Sequence, residues 1–417
     1  MYIYGEYIYS CHLKTITAFN YQELLTCFAI LQHHIDTQAN GYFLGYFSYE
    51  AGVLMQTYGK DLFTQVYENI NQIQQKRLEP IAYFKLFAKR QKIPKTFFKQ
   101  SQPLDKQSIN LQIIKNIDLK TYQTDFFSIK DSIAKGDTYQ VNYTQEMILR
   151  PTPLSQSNID TMNPIYLYHN QNKQLHTNIH SDLRLFQSLC SKQNAPYKAF
   201  FHNEFLTLLS FSPELFFSIK RRHITTQPMK GTIQRGTKKD SKHSFRINKK
   251  SDKKLKKQLQ QDSKNRSENV MIVDLLRNDL SRINNIKKVK VKKLFAIHSY
   301  TTLHQMISTI QAKLPRSFQL LDIFLSLFPC GSITGAPKLK TLEIIQRLEQ
   351  RNRGIYCGAM GVVSNKKIIF SIPIRTLIKY TNEKYYRYGV GSGIIWDSKL
   401  EQEIQELQLK CAFLTKV

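Results

Sequence analysis

Apolar positions near the end of the chain recur at four-three spacing: Leu400, Ile404, Leu407, Cys411 and Leu414. That period predicts a helix with one buried stripe. Ser398-Lys-Leu-Glu401 precedes it as a capping box, so the helix is expected to start at Ser398. A second helix is predicted over Thr121 to Lys135, stopping at Gly136 as a C′ glycine. A strand, TYQVNYTQEMIL, should follow it. The runs IIFSIPIRTLIKY and YYRYGVGSGII, joined by the turn TNEK, predict two more strands. Pro373 inside the first marks an edge or a bulge. Thr334 is expected to open another helix, with Pro337 in its first turn, where a missing N–H costs nothing.

The first 85 or so residues mix short aromatic strands with helical stretches. GYFLGYFSYEAG (Gly41 to Gly52) alternates glycine with aromatics, as strand edges and turns do. Residues 86–110, with Lys89, Arg90, Lys92, Pro94, Lys95 and Pro103, read as a polar connection. Residues 151–178 are rich in Asn, Gln, Ser and Pro and read as an irregular insertion. Residues 237–264 are the densest lysine segment, read as an exposed turn leading into an amphipathic helix. No internal repeat is visible. Strands and helices do not alternate regularly, which favours an α+β architecture over a doubly wound α/β one.

The 417 residues allow two or three domains, or one large one. Hydrophobic residues at 41% and charged residues at 22% permit a sizeable core. Sixty Lys+Arg against 31 Asp+Glu give a formal charge of +29, which attracts anions. No basic run is interleaved with a nucleic-acid-binding motif of known mechanics, so no nucleic-acid partner is expected. A basic nucleic-acid-binding protein remains the alternative from another class. The six cysteines form no C-x-x-C pair, which argues against a disulfide scaffold or zinc site and fits a reducing compartment. No signal peptide and no apolar run near 18 residues is present, so a cytoplasmic protein with no membrane partner is expected.

Two glycine patterns fail as nucleotide motifs. Gly331-Ser-Ile-Thr-Gly335-Ala-Pro-Lys338 lacks the Gly-Lys-Ser/Thr end of a phosphate loop. Gly389-Val-Gly391-Ser-Gly393 lacks the third-glycine spacing of a dinucleotide fingerprint. As the opening of a helix, Gly335 and Ala336 would still offer N–H groups to a carboxylate. Glu403, Glu406 and Lys410 share a helix face, which by itself reads as a solvated charged face. Glu268 opens the apolar segment ENVMIVD, and a carboxylate at a buried edge needs a partner or a metal. A few carboxylates completed by water and substrate oxygens suit Mg²⁺. Glu214 stands among Leu208, Leu209, Phe211, Leu215 and Phe216, where burial would keep it protonated as an acid. Lys230 is followed by Gly231, which opens room at the backbone.

In chain order, GDTYQVNYTQ (136–145), SPELFF (212–217), PMKGTIQRG (228–236), KNRSENVMIVDLLRND (264–279), HSYTTLHQMIST (298–309), FPCGSITGAPK (328–338), RGIYCGAMG (353–361), IPIRT (372–376) and GVGSGIIWDS with EIQE (389–406) resemble the chorismate-binding enzymes. The resemblance covers about residues 120–417, and GYFSYEAG is similar more weakly to the family's N-terminal part. It implies two antiparallel β-sheets packed as a sandwich with flanking helices, and a cleft between them for the site. The parts would be an N-terminal segment, 1–105, and a catalytic region, 106–417.

The implied substrate is chorismate, a dicarboxylate bound with Mg²⁺. Members that add water to chorismate carry a lysine base where Gln140 stands. Anthranilate synthases, the nearest rival, usually carry alanine where Lys230 stands, whereas members that aminate C4 carry lysine. The resemblance makes Lys230 the nucleophile and Glu214 the general acid. Glu268 and Glu406 would hold Mg²⁺, with Glu403 direct or through water. Arg375 and Tyr356 would contact carboxylate oxygens, and His304 the leaving hydroxyl or the ring. Thr334, Gly335, Ala336, Gly391, Ser392 and Gly393 would complete an anion cradle. Asp274, Arg277, Asn278 and Asp279 would form a buried polar network placing Glu268. Departures are Met229, Asn265, Cys330 and Ser392, of which the last two bear on substrate affinity. Ammonia would come from a separate glutamine amidotransferase subunit in a heterodimer.

Overall fold

The computed structural model describes residues 1–58, 68, 79–98, 110–151, 173–193, 195–239, 245–299 and 303–415. Most of its described strands form one long antiparallel ladder. The order is Lys287–Ser299, Leu303–Lys313, His223–Gln227, Leu215–Lys220, Ile368–Ser371, Ala359–Val363, Tyr42–Phe47, Ala82–Lys92 and Tyr7–Ala18. It continues through Tyr2–Tyr4, Tyr197–His202, Leu206–Ser212, Thr376–Tyr380, Tyr386–Ile395, Gln140–Pro151 and Leu111–Lys115.

The ladder doubles back at Tyr2–Tyr4, so its two halves stack as a sandwich. Strand alternation sets the layers. Leu44, Tyr46, Leu206, Leu208, Met360 and Val362 point inward and meet in a tyrosine-rich middle layer. Their neighbours Phe43, Phe47, Ala359 and Val363 point outward under the helices Tyr21–Asp36, Tyr49–Thr57, Ser263–Ser281 and Leu320–Leu327. Leu209 and Phe211 point outward on the other half, under the helices Leu119–Ala134, Lys173–Lys192, Lys338–Glu349 and Leu400–Thr415. The α+β sandwich with flanking helices is the expected architecture.

Several boundaries differ from expectation. The Leu119–Ala134 helix starts at the N-cap Asp118, whose carboxylate accepts from the Lys120 and Thr121 amides. The polar stretch after residue 86 is not a connection at first. Its strand runs on to Lys92, because pairing with Tyr7–Ala18 satisfies the backbone whatever the side chains. Most of the expected 151–178 insertion lies outside the described residues, but 173–178 belong to a helix. The lysine-rich segment contains the short pair Thr237–Lys239 and Phe245–Ile247, then the expected helix, Lys249–Gln261.

The run expected as one strand with an edge or bulge at Pro373 is two strands, Ile368–Ser371 and Thr376–Tyr380, which pair in different halves of the ladder; Pro373 lies in the break between them. No helix opens at Thr334. Gly335–Ala336 instead pair with Val141 and Gln140, and the helix starts after Pro337 at Lys338. Glycine is required there, since a Cβ on Gly335 would sit 1.8 Å from the Gln140 carbonyl oxygen. The last helix starts at Leu400. The Ser398 hydroxyl donates to Glu403 at 2.7 Å, so Glu401 closes no capping box. The apolar stripe of that helix packs as its period predicts, with Leu407 and Leu414 buried.

Candidate active site

A cavity of about 740 Å³ opens between the Ser263–Ser281 and Leu400–Thr415 helices and the strands that carry Lys230 and Gly391. Glu214, Lys230, Glu268, Tyr356, Arg375 and Glu406 all line it. Glu214 sits in the tight link between Leu206–Ser212 and Leu215–Lys220, only 4% exposed. Its amide donates to the Ser212 hydroxyl at 3.2 Å and its Oε1 accepts from the Ser332 hydroxyl at 2.8 Å. Burial pushes its carboxyl up to about 7, against the opposing pull of Ser332, Lys230 and Lys410. It is therefore substantially protonated near neutrality, as the acid reading requires.

Lys230 lies where the Met229–Gln234 strand shifts register against Leu303–Lys313, and Gly231 there adopts φ +87°. Lys230 Nζ and the Gln140 amide both face Gly393. A Cβ built on that glycine would stand 3.0 Å from Lys230 Nζ and 3.2 Å from Gln140 Nε2. Gln140 is fully buried, and neither of its amide atoms has a hydrogen-bond partner among the described residues. At Gly389 a Cβ would reach 2.3 Å from the Tyr356 ring, so only glycine lets that ring pack here.

Glu268 and Glu406 face one another across the cavity. Burial raises the Glu268 carboxyl, Lys230 and Lys264 oppose the rise, and the Glu406 charge adds to it. Lys410 holds Glu406 low through a 2.7 Å ion pair and also donates to the Gly391 carbonyl at 2.7 Å. Two mutually repelling carboxylates with hard oxygen donors fit a Mg²⁺ ion. Among the described residues no three or more His, Cys, Asp or Glu side chains converge as a metal cluster. Water and substrate oxygens would have to complete the coordination.

Other expected residues are engaged elsewhere. Glu403 is buried, accepts from Ser398, and lies 3.6 Å from the Lys264 ammonium. His304 is buried, with Nδ1 against Ser299 at 2.8 Å and Nε2 against Asp252 at 3.0 Å. Arg235 grips the same Asp252 at 2.7 Å and holds that carboxyl down to about 2. Ser392 points to the face opposite Gly391 and Gly393, where its hydroxyl meets Tyr122 at 2.9 Å. Thr334 donates to the Cys330 carbonyl at 2.9 Å, while Gly335 and Ala336 are held in strand pairing. None of these six lines the cavity. Asp274, Arg277 and Asn278 are exposed, so they form no buried network; only Asp279 is buried, ion-paired to Lys338 at 3.2 Å.

Sequence reasoning missed Ser332 and passed over Lys410. The first belongs to a motif whose Cys330, Thr334, Gly335 and Ala336 were read but whose serine was not. The second shares a helix face with Glu406, a spacing that equally describes a solvated pair.

The chorismate binding enzyme family matches residues 8–163 and 167–416. Aminodeoxychorismate synthase component 1 of Salmonella typhimurium is 38% identical over 222 residues, 53% of this chain and 46% of that protein. Its Escherichia coli (strain K12) counterpart is 33% identical over 295 residues, 70% of this chain and 56% of that one. Anthranilate synthase component 1 1 of Haloarcula marismortui is 31% identical over 67% of this chain and 49% of its own. The matched stretches thus span about half the length of these curated relatives. Among solved structures, anthranilate synthase component I from Streptococcus pneumoniae superposes with a TM-score of 0.71 at 19% identity, covering 99% of this chain and 92% of that one. The menaquinone-specific isochorismate synthase from Escherichia coli gives 0.66 at 15%, covering 98% and 84%. At such identities these structures speak for the fold.

Proposed function

The chain belongs to the chorismate binding enzymes, and from that premise we propose that it works as an aminodeoxychorismate synthase component 1. It would convert chorismate and ammonia to 4-amino-4-deoxychorismate, the precursor of para-aminobenzoate and folate. The carrying observation is that one cavity holds the Lys230 amine, the Glu214 acid and the carboxylates Glu268 and Glu406. The relatives named for this activity support the reading.

Direct displacement of the C4 hydroxyl by ammonia with retained stereochemistry is unfavourable, and a covalent detour through Lys230 avoids it. The neutral Lys230 amine attacks C2. The two ring double bonds shift, the C4–O bond breaks, and the hydroxyl leaves as water with the proton of Glu214. Ammonia then adds at C4, the double bonds return, and the C2–N bond breaks to release neutral Lys230. The new C4 ammonium returns one proton to Glu214. Arg375 and Tyr356 would grip substrate carboxylate oxygens, Arg375 by a bidentate fork. Glu268 and Glu406 would hold a Mg²⁺ ion, which when bound neutralises a substrate carboxylate. Ammonia would be delivered by a glutamine amidotransferase partner, in the cytoplasm.

The test is product analysis of the purified chain with chorismate, Mg²⁺ and an ammonium salt. Aminodeoxychorismate without pyruvate is the expected outcome. Anthranilate with pyruvate would make the chain an anthranilate synthase component I instead. Lys230→Ala should lower turnover about tenfold or more, about 1.4 kcal/mol or more of barrier, and abolish any lysine adduct seen by mass spectrometry. Unchanged turnover would remove the covalent route.

A further inference from the structure

The cavity explains what Glu214 does but not how its proton is kept on the useful oxygen. Three side chains stand in line behind it. The Ser332 hydroxyl is 2.8 Å from Glu214 Oε1, and the Cys330 sulfur is 3.3 Å from the Ser332 oxygen. All three residues are at least 95% buried. A hydroxyl has one proton, so Ser332 can donate to one neighbour only. If it donates to Glu214, its own oxygen is left to accept, and the Cys330 S–H is the donor beside it. The reverse polarity would have Glu214 donate from Oε1 and Ser332 donate to a thiol sulfur, which is a weak acceptor.

Resting on the proposed acid role of Glu214, we infer that Cys330 and Ser332 form a donor relay, Cys330 to Ser332 to Glu214 Oε1, that holds the acid proton on Oε2. Glu214 lines the cavity, and Oε2 has no hydrogen bond to any described residue, so it is the oxygen left to face substrate. The relay also acts after proton transfer. As Glu214 becomes a carboxylate, the Ser332 bond becomes charge-assisted and strengthens. It therefore favours the transition state over the ground state. Cys330 is a positioning residue, acting on the acid through Ser332. Its thiol is pushed up to about 12 by burial and the nearby Glu214 charge, so it keeps its proton throughout the working range. Among the described residues the other charged groups that face Glu214 are Lys230 and Lys410, and both are untouched by a change at Cys330.

The test has a readout that needs no turnover. The infrared C=O band of the protonated Glu214 is assigned by its loss in Glu214→Gln, then titrated in the ligand-free full chain. In Cys330→Ala the freed Ser332 hydroxyl donates less well to Glu214. The band should shift, its titration midpoint should move up from near 7, and kcat should fall about two- to tenfold with KM little changed, the weight of one hydrogen bond. Cys330→Ser, which restores an O–H donor, should return all three toward the parent values. A band position and midpoint in Cys330→Ala identical to the parent would overturn the relay, as would Cys330→Ser behaving like Cys330→Ala. Thermal unfolding of both variants separates these effects from loss of fold. If the band responds as expected while the parent makes no aminodeoxychorismate, the relay stands and the proposed function fails.

Discussion

At the scale of single residues, the acid is held at a cost to the fold. Glu214 has its carboxyl at about 7, above the ordinary value of 4.5, because it is buried. A carboxyl raised on folding binds its proton more tightly in the folded chain than in the unfolded one. Its stabilising effect is complete below pH 4.5 and is lost as pH rises through 7. The rise from 4.5 to about 7 bounds the loss at about 3 kcal/mol. Glu214→Gln should therefore unfold at a higher temperature than the parent at pH 8 and at nearly the same temperature at pH 5. Equal differences at both pH values would mean that Glu214 is not held neutral by burial. The same variant should be unable to protonate the leaving hydroxyl, so stability and turnover move in opposite directions. Such opposition is expected where a side chain is placed for chemistry rather than for packing.

Elements turn these side chains toward the cavity, and small residues fix how closely they approach. Gly389 lies on Tyr386–Ile395 against the Tyr356 ring, with no room for a Cβ. Gly389→Ala should push the ring out of place, destabilise the chain by about 1–3 kcal/mol and raise KM for chorismate. Denaturant unfolding and initial rates check both effects; an unchanged KM would take Tyr356 away from substrate. The elements were legible where one residue pattern decides them. The stripe from Leu400 to Leu414 could bury only as a helix. They were illegible where a distant partner decides them. Gly335–Ala336 resemble a helix opening until Val141 and Gln140 pair with them. Lys89 to Lys92 resemble a linker until Tyr7–Ala18 supplies their hydrogen bonds. The site followed the same rule. Glu214 was legible from its apolar neighbours in sequence. The outward turn of Ser392, the capture of His304 by Asp252 and the service of Ser332 all depend on residues far away in the chain.

For the molecule as a whole, the sandwich is woven from both ends of the chain. The strand Tyr42–Phe47 lies between Ala82–Lys92 and Ala359–Val363, and Tyr2–Tyr4 joins the two halves by pairing with Tyr197–His202. The middle layer draws Tyr2, Tyr46 and Tyr83 from the N-terminal part and Phe201, Leu208 and Met360 from the rest. Glu50 accepts from the Arg353 amide at 2.7 Å, and Arg353 forms a fully buried ion pair with Glu349. These contacts reach the strands and loops that carry Tyr356 and Glu214, so residues 1–105 should be needed for the cavity to form at all. Residues 106–417 expressed alone would leave the Ala359–Val363 and Tyr197–His202 edges unpaired and the apolar middle layer open to water. That fragment should lack a cooperative unfolding transition, aggregate readily and show no binding of chorismate. The full chain should unfold in one transition reported alike by backbone circular dichroism and by fluorescence of its single tryptophan, Trp396. A fragment with its own sharp transition would make the two regions independent domains. It would also confine the cavity's support to the C-terminal part, with the N-terminal strands reduced to a cover.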